Sequence, residues 1–467
     1  MLTFHDQAIT QRSLGRRDFL RVGGLGLGGL SLTDLLGLRS FAAQAKVPIK
    51  DKSVIFLFMH GGPSQFETFD PKMDGPSEYR SATGEIPTSI PGVTFGSTFQ
   101  RLAKLAHKFS IVRSFSTGDA KHDIKPIVCK DTLNGNMGSL YARIAGSLQS
   151  DSAMPTNVAL FPQAVLSSAG PAIEQFGNIA SAGEIGTAYQ PFVAGSGAGL
   201  QSDMKLHLPQ ERLNDRRALL ESLDVWKRSM DSDSAVRTSG ELESLAFNLL
   251  TRGVSDAFDL SKEDPRLIER YDTAPLLPKD RISTAWKNRE HYADNAATLG
   301  RLLLLARRLC ERGAGFVTVT TSFVWDMHAD ANNAPVTTGM DYVGRPFDHA
   351  VSAFIEDVEA RGLSEKILLV CCGEMGRTPK INGKGGRDHW GGLAPLMLYG
   401  GGLKMGHVIG ESTRNGGEPK SDPVGIPDLM ATIMHSLLDI SQVRLMESLP
   451  KGVMDAVTRG EPIRGLV

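Results

Sequence analysis

The amino-acid sequence predicts an α/β fold wound around a parallel-type sheet, and three observations carry that expectation. Val54 to Met59 is continuously apolar, as a strand covered by helices on both faces must be. Two long helical patterns, over 286–312 and 346–361, lead into the apolar runs GFVTVTTSF and KILLVCC, which is the alternation of βαβ winding. Each of these apolar runs then breaks into a polar, glycine-bounded loop, and open α/β sheets bind ligands at the carboxyl ends of their strands.

The first strand, SVIFLFMH, stops at His60, where Gly61 and Gly62 allow a sharp turn. A helical stretch over 99–107 precedes the strand FSIVRSF and the polar segment STGDAKHDIKP. From 163 to 285 the order becomes irregular, first loose and rich in glycine, serine and alanine, then helical and charged. That region reads as an insertion or cap, so the chain is one large domain with an insertion, or two domains. The helix expected over 286–312 carries Leu299, Leu302, Leu303, Ala306, Leu309 and Cys310 on one face and Arg301, Arg307 and Arg308 on another. Near the C-terminus the strand APLMLYG precedes a helix that starts at Pro427.

Residues 1–45 have the layout of a twin-arginine export signal. Arg16 and Arg17 precede a glycine-diluted apolar stretch, and Ala43 and Ala45 supply the small residues of a cleavage site. Interrupted by Asp34, the stretch is shorter than the roughly 20 residues of a bilayer span, so no stable membrane insertion is expected once it is cut. The mature chain, 46–467, would work in the periplasm or outside the cell, its partners being the export machinery and its substrate. A net charge of −1 offers nothing to nucleic acid. Of the four cysteines, Cys371 and Cys372 lie adjacent in an apolar run, a spacing unsuited to a metal knuckle. Cys129 and Cys310 could pair, although core thiols suit a chain exported already folded.

Three loops of the C-terminal half hold residues able to bind a metal: Asp326 and His328 in WDMH, Glu374 in GEMGRTP, and Asp388 with His389 in GRDHW. Imidazoles with carboxylates suit zinc, manganese or iron, and an oxygen-rich variant would suit calcium or magnesium. Each residue has a plainer reading as well. Asp326 could cap a turn, the histidines could be satisfied polar side chains, and Glu374 could form a buried ion pair with Arg377.

On LFMHGGPSQFETFDPK, GEMGRTP, GRDHWGG and PDLMATIMHSLL, the chain resembles the exported bacterial family of unknown function numbered 1501, which is similar in fold to alkaline phosphatases and sulfatases. That resemblance implies a mixed, mostly parallel sheet sandwiched by helices, with metal ions at its carboxyl edge and an anionic phosphate or sulfate ester as substrate. Carried over by position, Asp326, His328 and His389 look like ligands of one ion, with Glu374 and His60 for a second. Arg377, His122 and Lys125 would neutralise the anionic oxygens. The pattern departs from the superfamily in three places: His60 stands where an aspartate is usual, Glu374 and Met375 replace an Asp-His pair, and STGDAKHDIKPIVCKDTLNG lacks a sulfatase nucleophile motif. Ser116 and Thr117 are the candidate hydroxyls there. The implied function is hydrolysis of an ester, with a polysaccharide as one carrier; the alternative is a binding protein that kept the fold without the chemistry.

Overall fold

The structure, a computed structural model, describes residues 48–194 and 254–467. The expected signal over 1–45 and the middle of the expected insertion, 195–253, lie outside the described residues. Residues Ile49–Val467 belong to one compact unit.

Its centre is an eight-stranded sheet in the order β12-β4-β11-β8-β1-β7-β5-β6. In chain order the strands are β1 (Ser53–Phe58), β2 (Glu85–Pro87), β3 (Thr94–Gly96), β4 (Phe109–Val112), β5 (Asn157–Leu160), β6 (Phe192–Val193), β7 (Phe316–Thr320), β8 (Ile367–Cys372), β9 (Gly376–Arg377), β10 (His389–Trp390), β11 (Leu396–Gly400) and β12 (Val408–Ile409). Strands β2 with β3, and β9 with β10, form separate antiparallel pairs. The principal helices are α1 (Met137–Ala145), α2 (Pro265–Tyr271), α3 (Arg289–Glu311), α4 (Arg345–Ala360) and α5 (Ile426–Leu437).

Strand β1 shows why the run Val54–Phe58 has to be apolar throughout. It lies in the middle of the sheet, parallel to β7 on one side and β8 on the other, and successive side chains point to opposite faces. Ile55 and Leu57 join the apolar layer that contains Leu302 and Leu303 of α3 and Phe354 of α4. Val54, Phe56 and Phe58 join the opposite layer, with Leu140 of α1 and Leu429 and Ile433 of α5. Each such side chain, fully buried, contributes roughly 1.5–3 kcal/mol. The sheet is thus mostly parallel and covered by helices on both faces, as the sequence implies. Only β11 is reversed among the described strands of this sheet, antiparallel to both β4 and β8.

Two local features go beyond the sequence pattern. The helix over 286–312 spans Arg289–Glu311, and part of its arginine face is buried. Arg307 is completely buried, paired with Asp357 at 3.0 Å, Glu263 at 3.2 Å and Glu311. The described flanks of the 163–285 region also do more than cover the sheet: β6 extends its edge parallel to β5, and Tyr271 of α2 hydrogen-bonds Asp357 of α4 at 3.0 Å. The described cysteines are all free thiols, three of them buried. No helix among the described residues is long and apolar enough to cross a membrane.

Candidate metal centre

Topology sends the candidate loops to one edge. The parallel strands β1, β4, β7 and β8 present their carboxyl ends there, and the reversed β11 presents its start, with β9 and β10 in the connection between β8 and β11. The turn after β1 is docked on the loop after β7, since the His60 carbonyl accepts from the backbone N–H groups of Val324 and Trp325 at 3.2 and 3.1 Å. Gly61 makes this contact possible. Its φ is +113°, and a Cβ there would lie 2.6 Å from the Asp326 nitrogen. Gly386 plays a similar part in the β9–β10 connection, where a Cβ would meet the His328 carbonyl at 2.1 Å.

Four side chains converge: His122, Asp326, His328 and His389 each offer a donor atom, all within 4.8 Å of one another. Asp326 Oδ1 lies 2.8 Å from His328 Nε2, 3.3 Å from His389 Nε2 and 3.5 Å from His122 Nε2. The Nε2 atoms of His328 and His389 face each other at 2.6 Å. These distances bracket the roughly 3.3 Å donor–donor edge that tetrahedral bonds of ~2.0–2.1 Å generate. The remaining ring nitrogens are turned outward to carboxylates, His122 Nδ1 to Glu374 Oε1 at 2.8 Å and His328 Nδ1 to Asp388 Oδ1 at 3.2 Å. His122 Nε2 is buried and has no hydrogen-bond partner. A buried polar atom without a partner is costly, and a cation among these donors would remove that cost.

The electrostatics agree with an anionic pocket floor inside a cationic frame. Burial would raise the Asp326 carboxyl, but Arg377 and the three imidazoles outweigh it and hold the group well below the usual carboxylate range. Burial lowers His122, yet the carboxylates of Asp326 and Glu374 beside it win and raise it above the ordinary histidine value. At His389 burial prevails, with the nearby Arg377 charge, and lowers the group despite Asp326.

The other expected site residues fall around this cluster. Glu374 is fully buried and pairs with His122, not with Arg377; Arg377 instead pairs with Asp326 at 2.7 Å. The Arg377 guanidinium also donates to the carbonyls of Gly61, Gly62 and Arg387 and meets His328 Nε2 at 3.4 Å. Its five N–H groups are therefore all engaged by the protein. His60 stands outside the four-residue cluster, ringed by Phe58, Phe176 and Phe323, and burial lowers it to about 4. Lys125 binds Asp119, Asp123 and the Lys121 carbonyl, closing the turn that carries His122. Ser116 Oγ donates to the Gly391 carbonyl at 3.0 Å, and Thr117 Oγ1 is buried without a partner.

His122, expected to face substrate anions, stands in the structure with Asp326, His328 and His389. The signal available was its position in a polar loop after a sheet strand. Beside the cluster an open basin of about 470 Å³ is lined by His328, Asp330, Asn382, Lys384 and Asp388. On the other side Phe176 and Phe323 stack at 4.8 Å and both pack against His122.

A family profile described as "Protein of unknown function (DUF1501)" matches residues 51–467. No curated protein matches the sequence. Among solved structures, the lipoteichoic acid synthase LtaP from Listeria monocytogenes matches with a TM-score of 0.32 and 9% identity, over 85% of this chain and 76% of that one. The PsFucS1 sulfatase from Pseudoalteromonas sp. matches with a TM-score of 0.34 and 12% identity, over 93% and 76%. Alkaline phosphatase from the Antarctic bacterium TAB5 matches with a TM-score of 0.27 and 12% identity, over 89% and 100%.

Proposed function

The chain belongs to the DUF1501 family, and from that premise, joined to its three imidazoles and one carboxylate at a single point, we propose an exported, metal-dependent hydrolase of phosphate or sulfate esters. The observation that carries this reading is the buried, unpartnered His122 Nε2 facing Asp326 Oδ1. Three nitrogen donors and one oxygen suit zinc or manganese and serve calcium or magnesium poorly, since those ions take oxygen ligands.

When bound, the ion supplies Lewis acidity toward an ester oxygen. The chain's own residues supply the frame. Arg377 fixes Asp326 and adds a buried positive charge beside the site, which favours an anionic ester without a direct hydrogen bond to it. Phe176 and Phe323 screen His122 from water, and the polar basin beside His328 receives the rest of the substrate, a polysaccharide ester being one that suits an exported protein. In this reading the 163–285 region is the cap that shapes substrate choice, with Phe176 as its contact to the site.

The purified chain loaded with zinc or manganese is expected to turn over a chromogenic phosphomonoester or sulfate ester. His389→Ala should lower kcat/KM by about 10²- to 10³-fold, the several kcal/mol that a metal contributes. The half-exposed position of His389 keeps that variant folded. One observation favours the second reading, a binding protein. Ser116 Oγ is engaged by a backbone carbonyl and Thr117 Oγ1 has no base beside it, so neither is an activated nucleophile. Metal-dependent binding of the ester without turnover would establish that reading instead.

Export by the twin-arginine route belongs to the same proposal. A secreted protein whose N-terminus lies within a few residues of Lys46 supports it. Release of the Arg16→Lys, Arg17→Lys precursor at parental levels would exclude it.

A further inference from the structure

Glu374 lies at the carboxyl edge of the sheet between two ring systems, and its chemistry differs from that of the four converging donors. We propose that Glu374 is a positioning residue: it fixes the tautomer and aim of His122, so that Nε2 becomes a metal donor, and it is not itself a ligand. The inference rests on the metal reading above and assigns one residue's work within it.

Glu374 is 0% exposed, and a carboxylate so deep is tolerated only when its oxygens are hydrogen-bonded. Both are. Oε1 accepts from the Gly61 N–H at 3.0 Å and faces His122 Nδ1 at 2.8 Å, while Oε2 faces the same Gly61 N–H at 3.2 Å. An ionised carboxylate only accepts, so Nδ1 must carry the proton of this bond. A neutral imidazole has a single N–H, which leaves Nε2 as a lone pair. That atom is the buried, unpartnered one, 3.5 Å from Asp326 Oδ1.

His328 repeats the arrangement with Asp388 on Nδ1 and Nε2 toward the cluster. Metal-binding histidines characteristically give their second N–H to a carboxylate in this way. The placement also explains how a loop from a distant strand is held in register. Phe58 of β1 and Cys372 of β8 are paired neighbours, so Gly61 and Glu374 extend from adjacent strand ends, and the carboxylate ties the loop after β4 to them.

The test uses the full chain with zinc as probe, in the parent, Glu374→Ala and Glu374→Gln. Three quantities are read: zinc affinity by chelator competition, the donor set by X-ray absorption, and the His122 ring-nitrogen signals by ¹⁵N NMR of the zinc-free chain. In Glu374→Ala, zinc affinity should fall about 10- to 100-fold, the usual effect of losing such a partner. The donor set should stay at three nitrogens and one carboxylate oxygen, and the hydrogen-bonded Nδ1–H signal should disappear. Glu374→Gln keeps the side chain's shape and an oxygen that can accept from Nδ1–H but loses the charge, so its zinc affinity should fall between the parent and the alanine variant, and it reads the effect if the alanine variant fails to fold. Loss of an oxygen from the zinc shell would make Glu374 a ligand and overturn the proposal. So would parental affinity together with an unchanged Nδ1–H signal. A parent chain that binds no zinc refutes the metal centre instead, while the zinc-free spectrum still reports whether Glu374 sets the His122 tautomer.

Discussion

In Asp326→Ala, zinc or manganese binding should fall by more than the ~100-fold that follows loss of an outer hydrogen-bond partner, and folding stability should drop by about 3–5 kcal/mol. Both effects come from one atom. Asp326 Oδ1 is the oxygen to which all three imidazole Nε2 atoms turn, and it lies 2.7 Å from Arg377 Nη2. Arg377 is 1% exposed. Without Asp326 its guanidinium keeps its carbonyl partners but loses its counter-charge, and an uncompensated buried charge is strongly destabilising. Asp326→Asn separates the two effects: an amide oxygen remains for Arg377, so stability should suffer less than in the alanine variant, while the loss of negative charge still weakens metal binding. Titration calorimetry reads the first quantity and urea unfolding the second. Parental zinc affinity in Asp326→Ala would show that the cluster is not the binding site.

A comparable loss, about 3–5 kcal/mol by the same argument, should follow Glu67→Ala. The Glu67 and Arg387 side chains are both fully buried, with Arg387 Nη2 and Nε at 3.0–3.2 Å from the Glu67 carboxylate. Glu67 also accepts from Ser64 and from the Ala82 N–H at 3.0 Å. Arg387 donates in addition to the carbonyls of Arg80, Thr378 and Pro379 and lies 4.3 Å above the Phe66 ring. Removing the carboxylate strands the guanidinium two residues from His389, so zinc affinity should fall together with stability. Pairing Glu67→Leu with Arg387→Met should recover only part of the stability, because it removes the stranded charge but leaves the carbonyls of Arg80, Thr378 and Pro379 without their donor. A single variant as stable as the parent in urea would show that the pair contributes nothing.

The parts of the fold legible in the sequence are those whose pattern is long. Val54–Met59, the α3 and α4 patterns and Ile367–Cys372 each bury enough consecutive or periodic apolar side chains to announce themselves. Strand β5 is only Asn157–Leu160 and β6 only Phe192–Val193, too short to show a period. Helix α1 and the β2–β3 pair were missed as well; α1, capped by Asn136, is only nine residues long, and β2 and β3 are three residues each. The burial of Arg307 was not legible for a different reason. A charged side chain at a polar helix position looks solvated until Asp357 and Glu263, from two other segments, are brought against it.

The same limit applies to the site. Asp326, His328 and His389 were readable because each lies in a glycine-bounded loop at a strand end. His122 was readable as a site residue but not as part of the imidazole cluster, since its aim depends on Glu374, far away in sequence. The suspected Glu374–Arg377 pair failed because Asp326 is nearer to the guanidinium and His122 to the carboxylate.

The reversal of β11 has a consequence for how this site can change. Cys372 and Leu396 are register partners, so the connection that carries Glu374, Arg377, Arg387 and His389 leaves and re-enters the sheet at the same place. It is a cassette on two adjoining stems, tied to the neighbouring loops through Glu374, Arg377 and Arg387. Insertions or deletions at its tip, around 380–385, would alter what can approach His328 while every strand pairing stays as it is, and loop lengthening of this kind costs little conformational entropy. One scaffold can in that way give the same cluster different surroundings by exchanging a single surface segment.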